Sequence, residues 1–255
     1  MDYVIETRGL RRTFGEFVAV DGVDLRVPSG CFYGFLGPNG AGKSTTLKCL
    51  TGLLAPSAGS ISLFGLDPKS DGVAIRQRLG VMPEDLALFD RLTGPETLAF
   101  VGQVYSLDGK TLRARSDELL SLMDLTSSAD TQVIDYSHGM RKKISLAAAL
   151  LPAPRLLFLD EPFEGIDAIA SHQIKEILLQ FVRGGGTVFL TSHILEIVER
   201  MADHLGVIHK GRLVAQGPLA ELRTGAGGGK SLEQIFLELV GASGTESRSL
   251  DWLAQ

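Results

Sequence analysis

Hydrophobic positions in the first part of the chain recur with the short period of β-strands. Between residues 18 and 27 they fall mostly at every second position, and a turn at 28–30 separates this segment from an apolar run at 32–36. Helical spacing follows, at Leu47, Leu50, Leu53 and Leu54. The pattern predicts a strand, a loop and a helix, then a turn at 56–60 and short strands at 61–65 and 79–82.

The middle of the chain has a mainly helical periodicity. Residues 97–105, 112–123 and 140–151 each carry apolar positions at helical spacing. This helical block, at about residues 84–150, separates the first strands from the next strand along the chain. We predict that it forms a helical subdomain inserted into an α/β domain.

Strand and helix signals alternate again after residue 155. Residues 156–159 form a continuous apolar run, which is typical of a strand buried on both faces. A helix with an apolar stripe from Ile174 to Val182 follows, and 187–192 is the next predicted strand. Toward the end of the chain we predict a glycine-rich linker, a short amphipathic helix and a poorly ordered tail, at 225–229, 232–240 and 242–255 respectively.

Composition limits the classes of function. The chain has 255 residues and a net charge of −5, so electrostatics give no reason to expect nucleic acid as a partner. Cys31 and Cys49 show neither metal-ligand nor disulfide spacing. The N-terminus does not resemble a secretory signal, and no run approaches the roughly 18 apolar residues of a membrane span. We expect any work at a membrane to be done from the cytoplasmic side, through a partner.

A glycine-rich loop between the strand at 32–36 and the following helix carries the clearest chemical signal. It fits the phosphate-binding pattern G-x-x-x-x-G-K-[ST], called Walker A. Its backbone N–H groups and the helix N-terminus favour a polyanion, Lys43 would reach the β- and γ-phosphates, and the Ser44 hydroxyl would bind Mg²⁺. The predicted nucleotide-binding loop consists of Gly37, Pro38, Asn39, Gly40, Ala41, Gly42, Lys43, Ser44 and Thr45.

Two adjacent carboxylates end the apolar run at 156–159. Charge at the end of a buried strand is costly to desolvate, and ligands of α/β sheets bind at the carboxyl ends of the strands. Asp160 therefore fits a Mg²⁺ partner, and Glu161 fits the group that polarises an attacking water. The alternative is an acidic pair that complements the dipole of the next helix.

These motifs, in this order, resemble the nucleotide-binding domain of ATP-binding cassette (ABC) transporters. Residues 136–140, Tyr-Ser-His-Gly-Met, resemble the family's signature, and they open a helix that ends just before the carboxylate-bearing strand. Residues 165–167 resemble the family's D-loop, and His193 resembles its switch histidine. The resemblance covers about residues 3–223, which we predict to be the ATPase domain, leaving 224–255 for the linker, amphipathic helix and tail.

The resemblance implies a fold and a mechanism. The fold is α/β, a P-loop NTPase with a RecA-like core, an N-terminal antiparallel β subdomain and the inserted helical subdomain. The cofactors are ATP and Mg²⁺, and ATP lies between the Walker A loop of one subunit and the signature of a second copy or a related ATPase subunit. Ser137 and the Gly139 N–H would then bind the γ-phosphate, and His193 would support Glu161. Phe14 would stack on the adenine, and Asp167 would belong to the nucleotide site.

Two departures from the family pattern affect the prediction. Glu84 stands where the family usually has a glutamine; a carboxylate still binds Mg²⁺, and we expect Glu84 to link the site to a partner through the nearby segment 92–96. In the signature, His138 and Met140 replace a glycine and a glutamine. This variant, with residues 209–217 and 232–239, resembles the ATPase subunits of ABC-2-type exporters.

The leading prediction is an ATP-hydrolysing subunit that powers export through a separate transmembrane permease of the ABC-2 type. It would sit at the cytoplasmic face of the cell membrane as a peripheral subunit, with Lys43, Glu84, Glu161 and His193 as its catalytic residues. One alternative is a soluble ABC ATPase that acts on nucleic acid or protein assembly. A second is a P-loop kinase, against which the signature helix and the Asp160–Glu161 pair argue.

Overall fold

The computed structural model describes residues 2–225 and 230–241. The predicted linker, apart from Gly225, and the predicted tail lie outside the described residues. The strands are β1 (Tyr3–Phe14), β2 (Phe17–Val23), β3 (Arg26–Pro28), β4 (Phe32–Leu36), β5 (Ala58–Leu63), β6 (Leu79–Met82), β7 (Leu156–Asp160), β8 (Thr187–Ser192), β9 (His204–His209) and β10 (Arg212–Pro218). The helices are α1 (Lys43–Leu50), α2 (Gly72–Arg76), α3 (Gly94–Val104), α4 (Gly109–Leu122), α5 (His138–Leu150), α6 (Ala168–Arg183), α7 (Leu195–Met201), α8 (Leu219–Gly225) and α9 (Leu232–Leu239).

A six-stranded sheet in the order β10-β9-β4-β8-β7-β6 holds the chemistry. All of its neighbouring pairs are parallel except β10–β9. Strands β4, β7 and β8 are buried along their whole length, which explains their continuous apolar runs. Because β4 and β7 run parallel on either side of β8, the Walker A loop and the Asp160–Glu161 pair emerge at the same edge. The predicted α/β fold is confirmed.

A second sheet is antiparallel, as expected for the N-terminal part, and β1 lies at its centre. The two ends of β1 pair with different strands: residues 10–14 with β2 and residues 3–6 with β3. The period-two pattern at 18–27 is therefore divided between two strands, β2 and β3. Thr7 fills the break between β2 and β3, because its Oγ1 donates to the Val23 carbonyl at 2.7 Å and accepts from the Leu25 N–H at 2.8 Å. Strand β5 pairs with β1 on its other side.

Helices α3, α4 and α5 lie between β6 and β7 in the chain, where the helical block was predicted. Helix α3 begins with a capping box, in which the Thr93 side chain accepts from the Glu96 N–H and Glu96 Oε2 accepts from the Thr93 N–H. Helix α1 is shorter than predicted. It ends at Leu50, and Gly52 follows in the left-handed region at φ +77°, so Leu53 and Leu54 lie beyond it.

The turn predicted for 56–60 is shorter in the structure, because β5 already begins at Ala58. Gly59 belongs to this strand, and a Cβ there would lie 2.3 Å from the Gly9 carbonyl oxygen, so the close approach of the two backbones requires glycine. Among the residues that the structure describes, no helix has both the length and the apolar character needed to cross a membrane.

Candidate active site

The loop between β4 and α1 has the geometry of a phosphate cradle. Gly40 and Gly42 have φ values of +76° and +107°, which glycine adopts without strain. A Cβ on Gly42 would lie 2.6 Å from the Ala19 carbonyl oxygen, so a larger residue does not fit there. Gly42 caps α1, whose first N–H groups then point toward any bound anion. Lys43 is buried and donates to the Gly37 carbonyl at 2.8 Å, which holds its ammonium group over the loop.

A cavity of about 370 Å³ opens above this loop. Most of the predicted loop lines this cavity. Three predicted site residues from other parts of the chain also line it, namely Glu84, Glu161 and His193. Gly37, Ala41, Asp160 and Phe14 do not line this cavity, and neither do Ser137, Gly139 and Asp167. The lining residues are Phe17, Ala19, Pro38, Asn39, Gly40, Gly42, Lys43, Ser44, Thr45, Glu84, Glu161, Glu164 and His193.

Asp160 is buried at the carboxyl end of β7, directly beside the loop. Its Oδ1 accepts hydrogen bonds from Ser44 Oγ at 3.3 Å and from Thr191 Oγ1 at 2.5 Å. Ser44 Oγ and Asp160 Oδ1 thus place two hard oxygen donors together beside the loop, and the charge of Asp160 also acts on the Glu84 carboxylate. Such a set fits Mg²⁺, which prefers carboxylate, hydroxyl and phosphate oxygens and retains several waters.

Glu161 is the most constrained side chain of the site. It is buried, and its Oε1 lies 3.4 Å from Lys43 Nζ. Its Oε2 lies 3.0 Å from His193 Nδ1 and accepts the His193 backbone N–H at 3.3 Å. Glu161 has a φ of +48°, a left-handed conformation that costs an L-residue about 1–2 kcal/mol. A carboxylate held between a lysine and a histidine at the rim of a cavity has the arrangement of a positioned base and its orienting partner.

Glu84 adds negative charge to the same rim. Although the residue is exposed, partial burial of its carboxyl raises its pKa, and the nearby carboxylates of Asp160, Glu164, Asp85 and Glu161 raise it further. A cation bound among these groups would relieve their repulsion.

The adenine end of the site differs from the prediction in one respect. Phe17, which was not predicted, lines the cavity and is 64% exposed. Phe14 is 45% exposed and has the Arg12 guanidinium 4.6 Å from its ring centroid. Phe14 pairs with Phe17 across β1 and β2 but does not line the cavity, so its stacking role stays a prediction and Phe17 is a second candidate.

The signature residues lie apart from the cavity, at the start of α5. Ser137 caps this helix, its Oγ accepting the Met140 N–H at 3.2 Å. His138 Nε2 lies 3.3 Å from the Glu164 carbonyl oxygen. Gly139 lies beside the start of α6, where a Cβ added to it would be nearest to Ala170 and Asp167. Asp167 caps α6, and hydrogen bonds from the backbone N–H groups of Ala170 and Ile169 lower its pKa.

Two further residues that contact the carboxylates were not predicted from the sequence. Thr191 is buried in β8 and bonds to both Asp160 and the Glu161 N–H. Lys142 is buried in α5, and its Nζ donates to the Glu161 carbonyl oxygen. The only local signal for Lys142 is its spacing, because it lies four and seven residues before the buried Leu146 and Ala149 on one face of the helix.

Comparison with known proteins identifies the family of the chain. The sequence profile of the family described as ABC transporter matches residues 20–164. A daunorubicin resistance ATP-binding protein of Streptomyces coeruleorubidus is 40% identical over 227 residues, which cover 89% of this chain and 72% of that protein. A Nod factor export ATP-binding protein of Cupriavidus metallidurans is 40% identical over 222 residues, which cover 87% of this chain and 73% of that protein.

Solved structures give the same result. The structure of an ATP-binding subunit of an ABC transporter superposes with a TM-score of 0.87 at 31% identity, covering 92% of this chain and 99% of that one. A bacterial ABC transporter cassette solved as a dimer has the same fold, with a TM-score of 0.78 at 23% identity over 84% of this chain and 98% of that one. The matches support the predicted transporter subunit over an ABC ATPase of nucleic acid or protein assembly. The chain belongs to the ABC transporter family and is one of its ATP-binding, ATP-hydrolysing subunits.

Proposed function

We propose that the cavity holds ATP with Mg²⁺ and that Glu161 activates the water that attacks the γ-phosphate. Lys43 and the N–H groups of the loop bind the phosphates. Ser44, Asp160 and Glu84 would hold Mg²⁺, which when bound neutralises charge on the phosphates. His193 orients the Glu161 carboxylate through their 3.0 Å contact. Phosphate then leaves with water as the acceptor, which separates this reaction from that of a kinase.

A second subunit completes the site in this proposal. The supporting observation is that Ser137 and Gly139 lie outside the cavity formed by the loop and the carboxylates of the same chain. The N-terminus of their helix would favour an anion supplied by a partner subunit. In a head-to-tail pair, whether of two copies or of related subunits, each α5 would close the partner's cavity over the γ-phosphate. ATP then bridges the two subunits, and hydrolysis of the bond between its β- and γ-phosphates breaks that bridge.

We further propose that the pair drives export through a transmembrane permease from the cytoplasmic face of the membrane. The names of two relatives support export as the direction of transport, since one is named for Nod factor export and the other for daunorubicin resistance. The docking place in this proposal is an apolar groove of about 290 Å³ between the segment after β6 and helix α3. At its mouth Phe89 and Phe100 are 53% and 42% exposed, with ring centroids 4.8 Å apart.

The experiment is to co-express the full chain with each ABC-2-type permease of its source organism and to assemble the complexes in lipid nanodiscs. We expect one permease to co-purify and to stimulate ATP turnover, while nucleic acid does neither. Phe89→Ser with Phe100→Ser should abolish both effects, whereas Val104→Ser, at a position 65% exposed on the same helix but outside the groove, should leave them intact. Stimulation by nucleic acid, or no association with any permease, would contradict the proposal.

A further inference from the structure

Lys142 is a buried cation that the proposed mechanism does not use. Only 2% of the residue is exposed, and a lysine is rarely buried to this degree unless its ammonium group is paired. Its Nζ donates to the backbone carbonyl oxygen of Glu161 at 2.5 Å. The lysine therefore links α5, the helix that begins at the signature, to the backbone of the proposed base.

The backbone of Glu161 is held on both sides of its Cα. On one side its N–H points to Thr191, 3.2 Å from both the carbonyl oxygen and Oγ1 of that residue. On the other side its carbonyl accepts from Lys142 and, at 3.3 Å, from the Glu164 N–H. A left-handed glutamate persists only where its surroundings hold it in place. These contacts set the direction of the Cα–Cβ bond and hence the aim of the carboxylate toward His193.

The charges around Lys142 agree with this role. Burial lowers its pKa, and the carboxylates of Glu164, Glu161, Glu84 and Asp160 oppose that effect. The ammonium group thus interacts electrostatically with all four carboxylates, while its hydrogen bond goes to the backbone carbonyl of Glu161. Lys142 also lies one helical turn beyond His138, so the helix end that carries Ser137 and Gly139 and the contact with Glu161 belong to one rigid segment.

We infer that Lys142 is a positioning residue, which fixes the backbone of Glu161 and ties the signature helix to the catalytic base. The inference rests on the proposed role of Glu161. We expect loss of Lys142 to lower turnover and to leave nucleotide binding unchanged. Lys142 does not touch the phosphate loop, so its loss should misplace the base and leave the nucleotide cradle intact.

The experiment compares Lys142→Met, Lys142→Arg and Lys110→Met in the purified full chain. Methionine removes the donor while keeping the apolar stem, arginine keeps a cationic donor, and Lys110 is an exposed lysine of α4 that serves as a matched control. We expect Lys142→Met to lower kcat by about 10- to 100-fold, with KM for ATP and the affinity for a fluorescent ATP analogue within about twofold of the wild type. Arginine should restore most of the turnover, and the control should match the wild type.

Turnover within twofold of the wild type in Lys142→Met would overturn the inference. So would a joint loss of turnover, nucleotide affinity and melting temperature that arginine does not restore, because that pattern describes a merely structural lysine. If the methionine variant does not fold, Lys142→Gln replaces it, since the amide is polar but one bond shorter than lysine. Glu161→Gln is assayed in parallel. If it retains turnover the proposed function fails, and if it is inactive while Lys142→Met is fully active, the inference alone fails.

Discussion

At the scale of single residues, the site is a cluster of carboxylates above a phosphate loop. Burial lowers the pKa of Lys142, and four carboxylates lie close enough to oppose that effect, those of Glu164, Glu161, Glu84 and Asp160. Lys43 and, when protonated, His193 are the cations that contact the Glu161 carboxylate directly. This excess of negative charge suits a site that is filled only when a divalent cation accompanies the nucleotide.

Glu84 gives the first prediction at this scale. Glu84→Gln removes one oxygen anion from the proposed Mg²⁺ set, so at neutral pH the variant should need several-fold more Mg²⁺ for half-maximal ATPase activity. The Glu84 pKa is raised above its ordinary value of 4.5, and the side chain becomes neutral as the pH falls through this raised pKa. The difference between wild type and variant should therefore shrink toward acid pH. The measurement is a Mg²⁺ titration of activity at several pH values.

Asp85→Asn is the matched control for Glu84→Gln, because it removes a neighbouring negative charge that does not line the cavity. We expect its Mg²⁺ requirement to equal that of the wild type. An equal shift in both variants would mean that general electrostatics, and not a ligand at position 84, sets the Mg²⁺ requirement.

The adenine end gives the second prediction. Stacking of a base on an aromatic ring contributes about 1–3 kcal/mol when measured by alanine substitution. Phe14→Ala and Phe17→Ala should therefore weaken ATP binding, and the ring that stacks is the one with the larger loss. Calorimetric titration with ATP and with inorganic triphosphate separates the base from the phosphates, because triphosphate affinity should not change. Wild-type ATP affinity in both variants would contradict an aromatic platform.

At the scale of elements, local periodicity predicts most of the helices and strands that position the site. The helical block between β6 and β7, the buried strands β4, β7 and β8, and helix α6 follow from apolar spacing. The short helix α2 was not predicted, because its residues show no apolar spacing typical of a helix. The split between β2 and β3 arises from a tertiary contact, because Thr7 of β1 occupies the gap between them. The end of α1 depends on Gly52, whose left-handed conformation ends the helix before the last two leucines of the apolar pattern.

The capping box of α3 gives a prediction at the element scale. Thr93→Ala leaves the Glu96 N–H without its side-chain acceptor, and the loss of such a cap costs about 0.5–2 kcal/mol of unfolding free energy. Nucleotide affinity should be unchanged, because Thr93 does not line the cavity. Urea unfolding measures the first effect and ATP titration the second. The control is Ser121→Ala, at an exposed position of α4, which should be within about 0.5 kcal/mol of the wild type. Equal stability of wild type and Thr93→Ala would contradict the cap.

At the scale of the whole molecule, the order of the motifs predicted more of the function than the periodicity of apolar residues did. It located Lys43, Ser44, Glu84, Glu161 and His193, which the structure places around one cavity. It could not locate Phe17, Thr191 or Lys142, whose positions depend on how distant elements pack. None of the three belongs to one of the sequence motifs. Sequence motifs thus predict the reacting groups. The residues that hold those groups in place can be identified only once the fold is known.

The central claim is that this chain hydrolyses ATP at a site completed by a second subunit, with Glu161 as the base. The most direct test is Glu161→Gln, studied by ATPase assay and by light scattering after size-exclusion chromatography with ATP and Mg²⁺. A positioned general base contributes about 10²–10⁴-fold to rate.

We expect Glu161→Gln to bind ATP, to lose turnover by that factor and to double in mass from 27.3 kDa in the presence of ATP. Lys43→Ala, which lacks the phosphate-binding ammonium group, should bind ATP weakly and remain a monomer. Hydrolysis by Glu161→Gln at close to the wild-type rate would contradict the account, and a monomer at saturating ATP would contradict a site completed by a second copy of this chain.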